Sequence, residues 1–320
     1  MEDRAVVAAQ PAVTTPWRLA FDRPAQFQAG LLAAVFVATF WHLLDFVPPQ
    51  LGELTYAWVH ELDWSHGPLI PLFSAYLVYQ RWDALRGRPI RRTELGLVLI
   101  PAGLLLYFLA LAGTIPFGYA RPTAMMITLL GLIIALCGLP ALRYLWLPWA
   151  YLFFAIPIPQ RLHFAWTNPL RQIAAEVAAA VLNLIPGLHG ERIGSNLRFE
   201  YNGVRSDVGV ADACSGMRST ITLCALGVAV AFMTERPRWQ RIVLVLSCVP
   251  IATLCNFIRV TITCWLHVFV DPKYASGQYH MMLGLAIMAL AFGLFMGLGW
   301  VLDRLVVEEA DDAPATGASA

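Results

Sequence analysis

Three stretches of this 320-residue sequence carry side chains that could do chemistry together. The first, residues 212–220, contains Cys214 and, four residues later, Arg218. The second, residues 256–259, ends in Arg259, and the third begins at His280. Thiol, imidazole and guanidinium groups are the parts that acyl transfer through a thioester requires, because the reaction needs a nucleophile, a proton carrier and an oxyanion stabiliser.

Cys214 would be the nucleophile of this set. A thiol reacts as its thiolate, and both a helix N-terminus and nearby arginines favour ionisation. His280 could take the thiol proton and later give it to a leaving amine. Arg259 could stabilise the oxyanion or hold a substrate carbonyl. The acceptor could be water, as in a protease, or an amine or hydroxyl, as in a transpeptidase.

Each of these residues also has a purely structural interpretation. A lone membrane cysteine usually packs as a small hydrophobe, and a histidine at a helix start is often a surface or capping group. An arginine near the membrane boundary can extend its side chain to that boundary. Structural roles do not explain why three separate stretches deliver such groups to one depth, which is how sites in helix bundles are built.

The elements that position these residues are predicted to be membrane helices. The chain is 58% apolar and only 13% charged, too few polar residues to coat a soluble globule. Its apolar blocks are long enough to cross a hydrocarbon layer of about 30 Å. We therefore predict an all-α membrane protein with about eight transmembrane helices, at residues 28–47, 67–80, 95–112, 122–139, 142–158, 216–234, 242–269 and 281–302.

Basic residues in the short loops predict the orientation. Residues 81–92 contain five arginines and residues 235–241 contain three, so both loops should be cytoplasmic. Both termini are then cytoplasmic as well, with a tail at residues 1–27, a membrane domain at 28–305 and a disordered acidic tail at 306–320. A net charge of +1 gives no indication of a nucleic-acid partner.

This orientation places the reactive groups near the outer boundary. Arg259 lies about 17 residues along the span that starts at residue 242, or about 26 Å at 1.5 Å per residue. Cys214 and His280 start their helices at that same boundary. Arg218 follows Cys214 by four residues and therefore lies on the same helix face.

The segment before Cys214 is predicted to lie outside the cell. Residues 166–184 have helical spacing and are expected to form a small amphipathic helix that lies on the membrane or re-enters it. If that helix crossed the membrane instead, the outward assignment of Cys214 would reverse. Residues 191–210 alternate between apolar and polar and turn at Asn202-Gly203, which predicts a β-hairpin.

Two further observations concern ligands. The six cysteines form no CxxC pair and no Cys/His zinc spacing, and the sequence contains no motif for a metal or cofactor. His66 is predicted to lie outside with Glu61 and Asp63 close by. It could line a substrate entrance, or it could only fix the start of the second span.

At these residues the sequence resembles the exosortases and their archaeal relatives, the archaeosortases. The similarity covers roughly residues 30–305. It depends on an ordered set of motifs: Asp212 followed by Ala-Cys-Ser-Gly-Met-Arg at residues 213–218, Asn256 with Arg259, His280 with Gly284, and Ser-His-Gly at residues 65–67.

The resemblance implies a sortase-like membrane enzyme with Cys214 as nucleophile and Arg259 and His280 as its catalytic partners, supported by Arg218, Asp212 and Asn256. The implied partners are membrane lipid, exported proteins with a C-terminal tripartite sorting signal (a short motif such as Pro-Glu-Pro, a transmembrane helix and a basic end) and exopolysaccharide machinery. The implied location is the bacterial inner membrane, with the active site near the periplasmic face. Two alternatives stay open, a polytopic transporter or flippase and a subunit of an exopolysaccharide synthesis complex.

Overall fold

A computed structural model describes most of the chain as helix. The described residues are 23–47, 52–86, 93–115, 118–194, 196–209, 216–275 and 277–305. Asp212, Cys214 and most of both predicted tails lie outside these ranges. The chain divides into two compact units, Met1–Pro159 and Gln160–Ala320.

The described part of the first unit is helical. Two of its helices, Glu94–Leu111 and Ala120–Cys137, approach closely because each presents glycine to the other. A methyl group at Gly96 would lie 2.4 Å from the backbone nitrogen of Ala135, and one at Gly103 would lie 2.3 Å from Thr128 Oγ1. The helices are α1 Arg23–Thr39, α2 Trp41–Leu44, α3 Glu53–His60, α4 Leu69–Gln80, α5 Trp82–Arg86, α6 Glu94–Leu111, α7 Ala120–Cys137 and α8 Leu142–Tyr151, with 3-10 turns at Leu62–Trp64, Leu139–Ala141 and Leu152–Ala155.

The second unit contains four long helices and a small sheet. Its last three helices share an apolar core that includes Leu223, Cys248, Ile287 and Phe295. The elements are α9 Gln160–Leu182, β1 Leu188–Ile193, β2 Asn196–Tyr201, β3 Val204–Gly209, α10 Met217–Met233, α11 Arg238–Phe269 and α12 Gly277–Leu305, with a 3-10 turn at Pro272–Ala275.

The sheet confirms the predicted hairpin and adds a strand to it. β2 and β3 pair antiparallel around Asn202 and Gly203, whose φ angles of 50° and 78° are the left-handed values of a tight hairpin turn. The prediction missed β1, which pairs antiparallel with β2 from Leu188 to Ile193. Its sequence Leu-His-Gly-Glu-Arg-Ile does not alternate, because a glycine and an arginine occupy the positions that share a face with Leu188.

The helix before the sheet is longer than predicted and is packed against a neighbouring helix. The predicted helix at 166–184 is part of the longer α9, which packs lengthwise against α11, where its buried alanines share one core with Val260 and Cys264. This packing argues against a helix that only lies on the membrane surface, and the re-entrant alternative stays a prediction. Alanines allow two helix backbones to approach closely. Of the two charged residues between positions 166 and 184, Arg171 is buried and Glu176 is exposed.

Several described helices have membrane character. Four of them, α6, α7, α11 and α12, are long and apolar enough to cross a bilayer, and Phe27–Thr39 and Met217–Met233 are shorter apolar helices. The predicted spans at 67–80 and 142–158 correspond to α4 and α8, which have 12 and 10 residues. The chain is therefore a mostly helical multi-pass membrane protein with a small antiparallel sheet.

Candidate active site

The site centres on a direct contact between α11 and α12. Arg259 Nη2 lies 2.8 Å from His280 Nε2, a hydrogen bond between residues that are 21 positions apart in sequence. A guanidinium has only donors, so His280 Nε2 must be the acceptor. The imidazole in this arrangement is therefore neutral and carries its proton on Nδ1.

Gly284 makes room for this contact, one helical turn beyond His280. A methyl group at Gly284 would lie 3.0 Å from Arg259 Nη2 and 3.2 Å from its Cζ. The guanidinium thus rests on the bare backbone of α12. Because Arg259 is only 8% exposed, its charge is held in a largely dry setting where hydrogen bonds to it are strong.

Asn256 fixes the start of α10 against α11. Gly216, the residue before α10, has a φ of 73°, a left-handed conformation that favours glycine. A methyl group there would also lie 2.8 Å from Asn256 Cγ. Both the backbone angle and the space therefore require glycine, and the buried Asn256 side chain lies against the residue that follows Ser215 in sequence.

Arg218 also belongs to this region. It lies in the first turn of α10, where it is half-buried, and its charge acts electrostatically on His280 together with that of Arg259. The structure thus brings together Arg218, Asn256, Arg259 and His280. The other two predicted members, Asp212 and Cys214, lie outside the described residues.

The opposite ends of the same three helices are tied by Arg236. Its Nη2 lies 2.8 Å from Asp303 Oδ2, its Nη1 donates to Gly299 O at 3.1 Å, and its Nε donates to Thr234 Oγ1 at 3.1 Å. These bonds join α12 to the link between α10 and α11. The site therefore lies toward one end of a bundle whose other end is held by a partly buried arginine.

His66 lies in the first unit, between a 3-10 turn and α4. Burial lowers the pKa of its imidazole, so the ring is neutral at neutral pH. The neighbouring Gly67 packs on Trp58, where a methyl group would lie 2.2 Å from Cδ1, and Trp58 Nε1 donates to Ala155 O at 2.7 Å. This packing explains the Ser-His-Gly segment structurally. A place for His66 at a substrate entrance stays a prediction.

The cysteines of the described residues have packing roles. Cys248, Cys255 and Cys264 are buried in apolar clusters of the second unit. A methyl group at Gly227 would lie 2.3 Å from Cys248 Sγ, so this thiol fills the space beside a glycine. Within the described ranges, no cluster of histidine, cysteine, aspartate and glutamate could hold a metal ion.

These features define a class of protein: a polytopic membrane protein in which a buried arginine of one long helix contacts a partly buried histidine near the start of the next. A model of the transmembrane exosortase (EpsH) family matches residues 58–297, and the chain belongs to that family. Neither the curated proteins nor the solved structures gave a match. Exosortases are a family of membrane cysteine proteases and transpeptidases, so membership implies a sortase-like membrane transpeptidase.

Proposed function

We propose that this protein cleaves the C-terminal sorting signal of exported proteins through a thioester on Cys214, with Arg259 and His280 as catalytic partners. The observation that carries the proposal is the 2.8 Å hydrogen bond between Arg259 and His280. A base and an oxyanion stabiliser from two helices meet directly in a region where isolated polar groups are costly. Their contact is difficult to explain as two side chains that separately extend to the membrane surface.

The first step follows from the donor and acceptor assignment. His280 Nε2 accepts from Arg259, so it cannot take the thiol proton until that bond opens. A substrate carbonyl oxygen that binds the guanidinium draws Arg259 away and exposes Nε2. The proton of Cys214 then moves to Nε2, and the thiolate attacks the carbonyl carbon.

In the remaining steps, His280 carries each proton that is transferred. The new C–S bond leaves a tetrahedral oxyanion, which the Arg259 guanidinium stabilises. The C–N bond breaks as the imidazolium gives its proton to the leaving amine, which leaves a thioester. Water or an acceptor amine or hydroxyl then attacks the thioester carbonyl. His280 takes the proton of that nucleophile and returns it to the departing thiolate.

The supporting residues favour the thiolate in this proposal. Gly216 lies against Asn256, and Cys214 precedes Gly216 by two residues. Arg218 contributes a positive charge in the first turn of the same helix, whose N-terminus also favours an anion. Asp212 would hold one of the arginines in place.

The family suggests the substrates and the location. Exported proteins with a tripartite C-terminal signal are the proposed substrates, and a cell-surface acceptor or the exopolysaccharide machinery is the proposed partner. The membrane is the bacterial inner membrane in this proposal, crossed by about eight spans, with the site near the periplasmic face. Supporting this orientation, the arginines at residues 236–241 lie at the end of α11 away from Arg259.

Co-expression with a tagged substrate tests the proposal. A protein carrying a C-terminal signal of this type is expressed with wild-type enzyme, with Cys214→Ala and with Cys137→Ala, a matched control from α7. We expect a gel-mobility shift with wild type and with Cys137→Ala, and none with Cys214→Ala. Normal processing by Cys214→Ala would contradict the proposal and favour a transporter or a complex subunit.

A further inference from the structure

The two outer strands of the small sheet differ in how their free edges are covered. β1 and β3 flank β2, so within the described residues each has one side with no strand beside it. A row of unpaired backbone N–H and C=O groups on such an edge can pair with another extended chain. Native proteins usually cover or block these edges, so an edge that stays open indicates a possible binding site.

The edge of β1 is capped by Asn183, the residue that follows α9. Its side-chain amide accepts from the Gly190 N–H at 2.6 Å and donates to Gly190 O at 3.0 Å, as a neighbouring strand would. The N–H of Leu188 donates to Ile185 O in the turn that leads into the strand. The protein therefore uses the outward backbone groups of β1 itself.

The same bonds establish which backbone groups of β3 face outward. In an antiparallel sheet, the N–H and C=O groups of successive residues point alternately to the two sides of the strand. Gly190 points away from β2, so its partner Phe199 points toward β3, where it pairs with Ser206. The neighbours of Ser206, Arg205 and Asp207, therefore direct their backbone groups to the free edge of β3.

This edge of β3 is open among the residues that the structure describes. No described residue forms a hydrogen bond with the outward N–H or C=O of Arg205 or Asp207, and both residues are exposed. The side chain of Arg205 binds Glu200 of β2 at 3.2 Å. That of Asp207 binds Arg198 of β2 at 2.8 Å, so both side chains are held away from the edge. Residues 204–209 also contain no proline or lysine, which commonly block edge strands.

The position of β3 connects this edge with the proposed active site. Cys214 follows Gly209, the last residue of β3, by five positions, so chain length alone keeps it within about 18 Å of the end of the strand. On the inner face of the sheet, Val208 belongs to the same buried cluster as Val260 of α11. Val260 directly follows Arg259. A chain that pairs with β3 would therefore be led toward the groups that cleave it.

We propose that the free edge of β3 binds the substrate segment that precedes the cleaved bond, as a fourth, extended strand. This inference rests on the proposed function and makes β3 the element that aligns the substrate. The sheet follows the end of α9, and Tyr201 in β2 packs on Phe269 at the end of α11, with ring centroids 5.0 Å apart. In the proposed orientation these are the outer ends, where the exported part of the substrate lies. Backbone groups carry this binding, so the segment can vary in sequence as long as it is extended.

The first test changes the backbone of the substrate. Single prolines are placed at successive positions just before the sorting motif of the tagged substrate. Binding is measured by co-purification with the Cys214→Ala enzyme and processing with the active enzyme. Proline lacks an N–H, so it removes a bond only where that N–H points to β3. We expect binding to fall about 2- to 10-fold at every second position and much less between them. Equal effects at all positions, or none, would overturn the proposal.

The second test changes the edge of the enzyme. Asp207→Pro removes an outward N–H, and Asp207→Ala removes the side chain alone, so their difference isolates the backbone group. Arg192→Pro, two residues beyond Gly190 on the capped edge of β1, is the matched control. We expect Asp207→Pro to raise KM about 2- to 10-fold above Asp207→Ala with similar kcat, and Arg192→Pro to leave KM unchanged. Equal KM values for the two Asp207 variants would contradict the proposal; if Asp207→Pro does not fold, the substrate prolines decide.

A third test identifies the occupant of the edge. Asp207→Cys is combined with Cys214→Ala and co-expressed with substrates that carry single cysteines in the same segment, followed by mild oxidation. We expect a disulfide between enzyme and substrate; one between two enzyme chains in its place would assign the edge to a second copy and overturn the proposal. If wild type processes no signal-bearing substrate, the proposed function fails and this inference with it. Normal processing that is insensitive to the prolines removes this inference alone.

Discussion

Replacing Gly284 with alanine should disturb the Arg259–His280 pair and leave the fold unchanged. The added methyl carbon would lie 3.0 Å from Arg259 Nη2 and 3.2 Å from Cζ. Ordinary contacts of this kind lie at about 3.5 Å or more, so the guanidinium must move by about 0.5 Å. It is the flexible end of a long side chain, so it can move without displacing α11 or α12.

The size of the effect follows from that displacement. The shifted guanidinium would lie about 0.5 Å from the position in which the proposed mechanism has it stabilise the oxyanion. Since a misplacement of about 1 Å can cost about 100-fold in rate, we expect turnover to fall about tenfold. Stability should change little, because alanine is favoured over glycine inside a helix by about 0.5–1 kcal/mol, which offsets the local crowding.

The assay compares processing rate and thermal unfolding in detergent for Gly284→Ala and for Gly293→Ala. Gly293 lies on the same helix, and a methyl group there would meet nothing within 4 Å. The control should keep full turnover and gain slightly in stability. Full turnover by Gly284→Ala would refute the reasoning, since the position of the Arg259 guanidinium would then not matter.

Two further predictions concern the arginines at the two ends of the bundle. Arg259→Lys keeps the charge but loses the planar fork, so we expect it to remain folded and to lose at least about 100-fold in processing rate; wild-type turnover would indicate a purely structural arginine. Arg236→Met removes the bonds to Asp303 and Gly299 O, so its unfolding free energy should fall by about 1–3 kcal/mol, measured in detergent against the exposed Arg238→Met. Equal stability of the two would contradict that role.

Part of the site could be predicted because membrane depth is readable from sequence. Counting residues from the basic loop placed Arg259 at the level where His280 begins its helix, and the two side chains meet. The family resemblance included Gly284. The physical reason for a glycine there, the close approach of Arg259, is visible only in the structure. A glycine in an apolar helix is otherwise indistinguishable from a packing glycine such as Gly227.

The packing of α9 against α11 could not be predicted, because the polar residues of α9 have two explanations. A helix with Arg171 and Glu176 among alanines has the pattern of a surface helix, and the sequence does not show which charge faces the protein. Strand β1 was missed for a different reason. Its Gly190 occupies an inward position at which an alternating pattern would have a larger apolar residue. In the fold that position is close to the ring of Phe199, where a methyl group would lie 2.5 Å away.

Arg259 has two tasks in the proposed mechanism, binding His280 and stabilising the oxyanion. In the proposed mechanism, the guanidinium that stabilises the oxyanion also occupies the nitrogen that takes the thiol proton, so His280 would not act as a base while Arg259 holds it. The proposed substrate carbonyl would compete for the same donors and thereby release the base. Activation of the thiol then depends on an acyl group being in place, which would limit proton transfer from Cys214 in the empty site. A lysine would keep the charge but lack the rigid planar fork that the guanidinium offers first to the imidazole and then to the oxyanion.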